Sequence, residues 1–111
     1  MEVQAITKNF RMSAQKVREV VRQIQGLPAL QAQAVLQFVT RKSARAVAKT
    51  LKSAIANAEN NAGLRPELLK VKQAVALTAR TLKRSVPKAR GSAGPILKRS
   101  SHIKIVLTDE A

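Results

Sequence analysis

The 111-residue sequence contains no cysteine, no tryptophan and no tyrosine, and it has only two phenylalanines. Without cysteine, structural disulfides and thiolate metal sites are excluded, which is consistent with a reducing cytoplasm. With so few aromatic side chains, the chain has little with which to stack unpaired bases, as sequence-specific readers of single-stranded RNA do. Any binding of nucleic acid is therefore expected to depend on phosphate contacts, shape and arginine stacking.

Acidic residues are also scarce, since 6 Asp and Glu stand against 21 Lys and Arg, for a formal net charge of +15. Such an imbalance destabilises a compact isolated protein through self-repulsion, and it favours a polyanionic partner, most commonly nucleic acid. No stretch approaches the ~20 apolar residues needed to cross a bilayer. The first residues, M-E-V-Q-A-I-T-K, lack the regions of a secretory signal. We therefore expect a cytoplasmic protein with no membrane partner.

Enzymatic chemistry has few candidate residues in this sequence. The only histidine is His102, and the acids are scattered, whereas a zinc site needs several His or Cys residues. In Ser100-Ser101-His102, adjacent side chains of an extended strand would point to opposite faces, which does not fit a catalytic triad. Neither a G-x-x-x-x-G-K-S/T loop nor a G-x-G-x-x-G motif occurs. We therefore predict no enzymatic activity, no catalytic or metal-binding residue and no cofactor.

The first part of the chain predicts a short strand over Glu2 to Phe10, followed by two helices. Ser13 is a candidate N-cap for the first helix, and Gly26 is expected to end it. Its apolar residues recur at helical spacing: Val17, Val20, Val21 and Ile24. Pro28 could begin the second helix. The apolar stripe predicted for that helix is Ala32, Val35, Leu36 and Val39, widened by Leu30 and Phe38.

A long third helix, with Thr40 as its candidate cap, gives the clearest pattern. Its apolar positions are Ala44, Val47, Ala48, Leu51, Ile55 and Ala58. Asn60, Asn61 and Gly63 are expected to end it. Beyond Pro66 the apolar period becomes two. A strand should therefore carry one apolar face, namely Leu69, Val71, Val75 and Leu77, with Lys70 and Lys72 on the other. The return strand should carry Ile103, Ile105 and Leu107.

Between these two strands lies a basic stretch, residues 79–102, without any acid. Its cations are Arg80, Lys83, Arg84, Lys88, Arg90, Lys98 and Arg99. Pro87, Gly91, Gly94 and Pro95 at its centre, between strand-like flanks, predict a long β-hairpin. Because a lone two-stranded ribbon is marginal in water, two interpretations stay open. The stretch is either a flexible solvated loop or an arm that a polyanion orders.

The remaining cations form two further clusters on the predicted helices. One accompanies the first helix and comprises Arg11, Lys16, Arg18 and Arg22; the other comprises Arg41, Lys42, Arg45, Lys49 and Lys52. A single such cluster is usually only a solvated helix face, but three clusters with so few acids between them indicate a wrapped polyanion. His102, at the root of the hairpin, is either a hydrogen-bonded structural histidine or a donor to RNA or to the long helix.

Three runs of the sequence resemble one ribosomal family. They are L-K-S-A-I-A-N-A-E-N-N-A-G at 51–63, L-K-R followed by P-K-A-R-G-S-A at 82–93, and I-L-K-R-S-S-H-I at 96–103. The run S-A-Q-K-V-R at 13–18, ending at I-Q-G, is similar to the first helix of the same family. That family is the bacterial large-ribosomal-subunit protein twenty-two family, and the resemblance covers essentially the whole chain in the right order.

The resemblance implies an α+β fold, with three helices packed on a three-stranded antiparallel sheet and a long protruding β-hairpin. It implies one domain over 1–111, with a globular body of 1–78 and 103–111, an extended hairpin of 79–102 and a tip near 88–94. It further implies a structural constituent of the large subunit, monomeric within the ribosome, that binds large-subunit rRNA and neighbouring ribosomal proteins and supports assembly. Its hairpin tip would line the exit tunnel and meet the nascent peptide.

Carried onto this chain, these implications and the basic clusters give two sets of candidate residues. The rRNA-binding set is Arg11, Ser13, Lys16, Arg18, Arg80, Lys83, Arg84, Lys88, Arg90, Lys98, Arg99 and His102. The exit-tunnel set is Lys88, Ala89, Arg90, Gly91, Ser92, Ala93 and Gly94. Two alternatives from the residues alone are a DNA-bending protein with basic ribbon arms and a cationic membrane-active protein.

Overall fold

A computed structural model describes residues 2–87 and 93–109, with side chains for all of these except 82–97. The elements in chain order are β1 (Glu2–Phe10), α1 (Ala14–Ile24), α2 (Ala29–Phe38), α3 (Ala44–Ala62), a 3₁₀ turn (Pro66–Leu68), β2 (Lys70–Thr78), β3 (Leu82–Pro87), β4 (Ala93–Lys98) and β5 (Ser101–Thr108). The predicted order of a strand followed by three helices is confirmed, and further strands follow where the long hairpin is predicted.

The last strand of the chain, β5, lies at the centre of a three-stranded antiparallel sheet with the order β1-β5-β2. The helices supply the second layer, since α1 packs on β2, α3 packs on β1 and β5, and α2 packs on α3. The fold is therefore α+β, with three helices on a three-stranded antiparallel sheet, as predicted.

The core lies between the helices and one face of the sheet. The four apolar residues predicted for α1 are all buried, as are Val47, Leu51 and Ala58 of α3. Ile103, Ile105 and Leu107 of β5 face them and are also fully buried. Small alanines such as Ala54 and Ala58, with no exposed surface, allow α3 to lie close to the sheet.

The apolar face predicted for β2 is correct at Leu69 and Val71 but wrong at Leu77, because the strand contains a bulge between these positions. Val71 pairs with Leu107, but Gln73 pairs with Val106, so one extra residue is inserted between them. A bulge of this kind reverses which side chains face the core beyond it. Ala74 and Ala76 are therefore buried, whereas Leu77, predicted to point inward, is 47% exposed.

Two predictions about α2 and α3 are also wrong. Leu30 and Phe38 do not widen the buried stripe of α2, since they are 46% and 84% exposed, and Ala29 is buried instead. Thr40 does not cap α3, which begins at Ala44 with Ser43 at the N-cap position. The reason is a turn before the helix, in which the Ala44 N–H donates to the Arg41 carbonyl at 3.1 Å.

The outer edge of β2 is covered by the segment that joins α1 to α2. Gly26 takes a φ of +79°, which glycine adopts without steric penalty, and this turns the chain back along the strand. The Gly26 N–H donates to the Val71 carbonyl at 2.9 Å, and the Val71 N–H donates to the Leu27 carbonyl at 2.8 Å. This pairing protects an edge that would otherwise invite association with another strand.

Strands β3 and β4 form a separate two-stranded antiparallel ribbon. Its register runs from Leu82 opposite Lys98 to Pro87 opposite Ala93. Two hydrogen bonds join the two segments that connect the ribbon with the sheet: the Ala79 N–H donates to the Ser100 carbonyl at 3.1 Å, and the Ser100 hydroxyl donates to the Arg80 carbonyl at 2.7 Å. The predicted tip residues Lys88, Ala89, Arg90, Gly91 and Ser92 lie outside the described residues.

Candidate nucleic-acid interface

A groove of about 880 Å³ opens where the start of α1, the loop before α3 and the root of the ribbon meet. Its lining residues are Arg11, Met12, Ser13, Ala14, Gln15, Lys16, Arg18, Lys42, Thr78, Thr81, Arg99 and Ser100. Five of these twelve are Lys or Arg, and no described residue that lines the groove is acidic. Several cations that line one concave surface raise the local concentration of anions there.

Local backbone structure brings α1 into this groove. The Met12 N–H donates to the Phe10 carbonyl at 2.8 Å, so the chain turns sharply after β1 and presents Arg11 beside the helix start. Ser13 occupies the N-cap position with extended backbone angles, but its hydroxyl makes no capping hydrogen bond. The first turn of α1 contains no acidic residue. The predicted cap is therefore correct in place but not in its hydrogen bond, and Ser13 is among the residues that line the groove.

Arg18 lines the groove and also supports the fold. Its Nε donates to the carbonyl of Ala76 at 3.2 Å, on the outer edge of β2. Directly after the end of α1, the Gln25 side chain donates to the carbonyl of Ala74 in the same way. Arg18 is exposed, and a guanidinium has five donors, so four remain available to a ligand. The Ala76 hydrogen bond fixes the direction in which they point.

The ribbon root supplies the opposite wall. Arg99 and Lys98 are exposed, whereas Ser100 and Ser101 are buried and tie the root to the sheet. Arg80 is exposed, and its carbonyl accepts the Ser100 hydroxyl. Of the predicted rRNA-binding residues, the groove thus brings together Arg11, Ser13, Lys16, Arg18 and Arg99. It does not include Arg80, Lys98 or His102.

His102 makes a structural hydrogen bond, which is one of the two roles considered for it. The backbone N–H of Asn9 donates to its Nδ1 at 3.1 Å. Asn9 lies in the irregular end of β1, with a φ of +58°. Because Nδ1 accepts, the ring proton lies on Nε2, which is free to donate elsewhere. The predicted contact to the long helix does not occur among the described hydrogen bonds.

Several groove residues were not in the predicted set. Lys42 belonged to the cluster assigned to α3, but the turn before that helix carries it to the groove instead. Gln15, Thr78 and Thr81 add hydroxyl and amide groups that can bind phosphate or sugar. Residue 42 is far in sequence from residues 15 and 99, and the packing of α3 on the sheet and on α1 brings the three segments together.

The other predicted positions belong to the ribbon, of which residues 82–87 and 93–98 form β3 and β4. Lys83 and Arg84 lie in β3, opposite Leu97 and Ile96. Lys88 and Arg90 lie outside the described residues, and Ala93 and Gly94 begin β4. In the part of the chain that is described, no three His, Cys, Asp or Glu residues lie close enough to hold a metal ion. None of the helices in that part is both long and apolar enough to span a bilayer.

Comparison with known proteins agrees with this geometry. Residues 5–108 match the family described as Ribosomal protein L22p/L17e. The chain is 53% identical to Large ribosomal subunit protein uL22 of Opitutus terrae over 109 residues, covering 98% of this chain and 96% of the relative. It is 48% identical to the protein of the same name from Akkermansia muciniphila over 110 residues, covering 99% and 98%.

The protein of the same name from Dehalococcoides mccartyi is 50% identical over 109 residues, covering 98% of this chain and all of the relative. These matches favour the ribosomal interpretation over the DNA-bending and membrane-active alternatives. The family is one of structural ribosomal proteins rather than enzymes, in agreement with the prediction of no enzymatic activity. On a family match that spans residues 5–108, the chain belongs to the L22p/L17e family of ribosomal proteins.

Proposed function

We propose that this protein binds large-subunit rRNA through the basic groove and extends its ribbon along that RNA to the nascent-peptide exit tunnel. As a member of a family of large-subunit ribosomal proteins with bacterial relatives, it is located in the cytoplasmic ribosome. There it acts as a structural constituent that supports subunit assembly, as one copy in contact with other ribosomal proteins. The tip, residues 88–94, lines the tunnel and meets the nascent peptide.

The observation that carries rRNA binding is the composition of the groove. Its cations come from four separate segments: Arg11 before α1, Lys16 and Arg18 within it, Lys42 before α3 and Arg99 between β4 and β5. Their mutual repulsion has no compensating carboxylate in the described lining. An RNA phosphate backbone supplies that compensation and releases its own counterions in doing so. Folding of the chain thus assembles a group of cations whose repulsion a bound polyanion would relieve.

The start of α1 offers a phosphate position within this groove. Lys16 and Val17 donate their N–H groups to the Ser13 carbonyl, at 3.2 and 3.3 Å. Ala14 and Gln15 also line the groove, and as residues of the first turn their N–H groups have no partner within the helix. These N–H groups can donate to the oxygens of a phosphate. The partial positive charge of the helix end, the Ser13 hydroxyl and the Lys16 ammonium would stabilise the same anion.

The tunnel part of the proposal is supported by family membership and by the ribbon. Strands β3 and β4 pair only with each other among the described strands, so the three-stranded sheet does not enclose them. Six residues per strand at ~3.3 Å each would give about 20 Å of reach beyond the sheet. The cations Lys83, Arg84 and Lys98 on this ribbon would meet phosphates along its length.

Binding of large-subunit rRNA by the full-length protein at several salt concentrations tests the groove. If roughly six to ten cations meet phosphates, log K falls with log salt at a slope of about −5 to −9. Changing Lys16 and Arg99 together to Gln should reduce the magnitude of that slope by about 2. The control changes Arg65 and Lys70 to Gln, at the end of the sheet remote from the ribbon root. A slope near zero, or equal losses in both variants, would show that the groove is not the RNA site.

A further inference from the structure

Phe38 is one of two aromatic residues in the chain, and it is 84% exposed at the last position of α2. A phenylalanine side chain that stays exposed lacks the stabilisation of about 1.5–3 kcal/mol that its full burial would give. The fold could avoid this loss with any polar residue, because the side chain contributes almost nothing to the core. Phe38 is therefore unexplained by stability and is a candidate for contact with another molecule.

A shallow hollow of about 440 Å³ lies beside this ring. The Val35 and Val39 side chains extend its apolar wall, and Gln23, Thr40 and Arg41 add an amide, a hydroxyl and a guanidinium. An exposed phenyl ring beside a shallow hollow, with a few hydrogen-bonding groups among the lining residues, suits a planar heteroaromatic ring. The volume exceeds that of a single nucleobase, so the base could enter with part of its sugar.

The charges around the hollow favour a nucleic acid over an apolar protein segment. Arg41, Lys42 and Arg45 are all exposed on the adjoining loop and the first turn of α3. Glu19 is the acid nearby, and Arg41 pairs with it at 3.3 Å, which holds the guanidinium at the margin of the hollow. The net charge of these four residues is three cations less one anion, or +2. A polyanion is attracted to this surface.

The hollow itself is better suited to a base than to a phosphate. It lies at the C-terminal end of α2, where the unpaired carbonyls carry partial negative charge. Those carbonyls repel phosphate but can accept hydrogen bonds from the amino groups of a base. Phosphates on either side of the base would then contact Lys42 and Arg45.

We propose that Phe38 is a stacking platform for one unpaired base of the bound RNA, with Gln23 and Arg41 at the edge of that base. The proposal rests on the proposed function, since it requires the protein to bind RNA. It adds a base-contacting site to a binding mode that otherwise depends on phosphates. The contact would lie at the α2–α3 connection, next to Lys42 of the basic groove.

Substitutions at Phe38 separate stacking from simple apolar contact. Base–aromatic stacking contributes a factor of about 5 to 150 in affinity, so Phe38→Ala should weaken binding to large-subunit rRNA by that factor. Phe38→Tyr should bind as wild type, whereas Phe38→Leu should resemble Phe38→Ala, because leucine is apolar but has no π face. The salt slope should stay unchanged in all three, since no phosphate contact is lost.

A tryptophan at this position gives a direct signal, because the natural chain has none. The fluorescence of Phe38→Trp should be quenched by large-subunit rRNA and much less by a fully paired RNA duplex. The matched control is Leu68→Trp, at a residue that is 63% exposed near the other end of α2, where the Ala29 N–H donates to the Leu69 carbonyl. Its fluorescence should respond to neither RNA.

The results distinguish this proposal from the function on which it rests. Loss of salt-dependent rRNA binding by the wild type would contradict the proposed function itself. Normal rRNA binding by Phe38→Ala, with no quenching of Phe38→Trp, would overturn the stacking site and leave the groove intact. Tolerance of leucine, combined with weaker incorporation of Phe38→Ala into subunits, would instead identify Phe38 as an apolar anchor for a neighbouring protein.

Discussion

The backbone N–H of Asn9 donates to Nδ1 of His102 at 3.1 Å, which joins the irregular end of β1 to the start of β5. This hydrogen bond lies at the root of the ribbon, beside Ser101 and its partner Phe10. Because of this hydrogen bond, the two ring nitrogens of His102 have different roles. Nδ1 supports the fold, and Nε2 carries the proton that RNA could accept.

Asparagine and glutamine at position 102 should separate these tasks. In His102→Asn, the side-chain oxygen can replace Nδ1 as acceptor, so the free energy of unfolding should change little, while a contact made through Nε2 is lost. In His102→Gln, the polar group lies near the position of Nε2, and loss of the Asn9 hydrogen bond should lower the free energy of unfolding by about 1 kcal/mol. Urea unfolding and rRNA binding measure the two effects. If neither substitution alters rRNA affinity, His102 has a structural role only.

The helices show how much of this fold the sequence determines. The apolar stripe of α1 repeats at i, i+3, i+4 and i+7, and all four of its residues are buried. The same spacing predicted the buried face of α3. These patterns are reliable because each depends only on local geometry and on one neighbouring layer. Ile103, Ile105 and Leu107 obey a period of two for the same reason.

The errors occur where one residue or one turn changes which side chains face the core. The bulge between Val71 and Gln73 reverses the inward face of β2, and no turn residue in the sequence marks it. The turn before Ala44 shortens α3 and carries Lys42 into the groove. The apolar pattern of α2 predicts that Phe38 widens its buried stripe, yet the helix packs with Ala32 and Leu36 inward. The site residues are distant in sequence, so only tertiary packing could assemble them.

The bulge in β2 predicts which positions of this strand tolerate a charged substitution. Leu77→Lys should change the free energy of unfolding by no more than about 0.5 kcal/mol, since the side chain already points to solvent. Ala74→Lys should destabilise by about 3 kcal/mol or more, because it places an unpaired charge among fully buried residues. Urea denaturation midpoints compare the two variants. Greater damage from Leu77→Lys would mean that the bulge is absent and that the simple alternation holds.

Glu2 and Lys72 form an ion pair across the solvent face of the sheet. This pair predicts that the free energy of unfolding depends slightly on pH in the acid range. The hydrogen bond and charge of Lys72 lower the pKa of the Glu2 carboxyl below its ordinary value of 4.5. Its contribution to stability is therefore present above pH 4.5 and is lost as pH falls through the lowered pKa.

An NMR titration of the Glu2 carboxyl checks this directly. Its midpoint should lie below 4.5 in the wild type and move up towards 4.5 in Lys72→Gln. Added salt should raise the wild-type midpoint, because both side chains are about half exposed and the pair is screened. Lys70→Gln, two residues away on the same strand, is the matched control and should leave the midpoint unchanged.

The ribbon and the long helix should differ in amide exchange in the free protein. Residues 44–58 are packed on the sheet and should be strongly protected. Strands β3 and β4 pair only with each other in the described structure, and a lone two-stranded ribbon is marginal in water. Their amides should exchange quickly in the free protein and slowly in the rRNA complex. Equal protection of both regions without RNA would show that the ribbon is stable by itself.

The last prediction separates the ribbon root from its tip. Replacing Lys83, Arg84, Lys98 and Arg99 together by Ala should weaken rRNA binding and reduce the salt slope by about one per lost phosphate contact. These residues lie on the part of the ribbon nearest the sheet, and Arg99 also lines the basic groove. They can therefore act together with the cations of α1 on one folded RNA.

Deleting the tip, residues 88–94, should leave association with the large subunit almost unchanged. The tip is farthest along the chain from the body, and its Gly and Ala residues offer little contact area. If it lines the exit tunnel, its deletion should change nascent-chain pausing instead. Sedimentation of subunits from cells that carry each variant measures association, and ribosome profiling measures pausing. If the tip deletion abolishes association while the quadruple substitution does not, the tip is the anchor and the basic root is secondary.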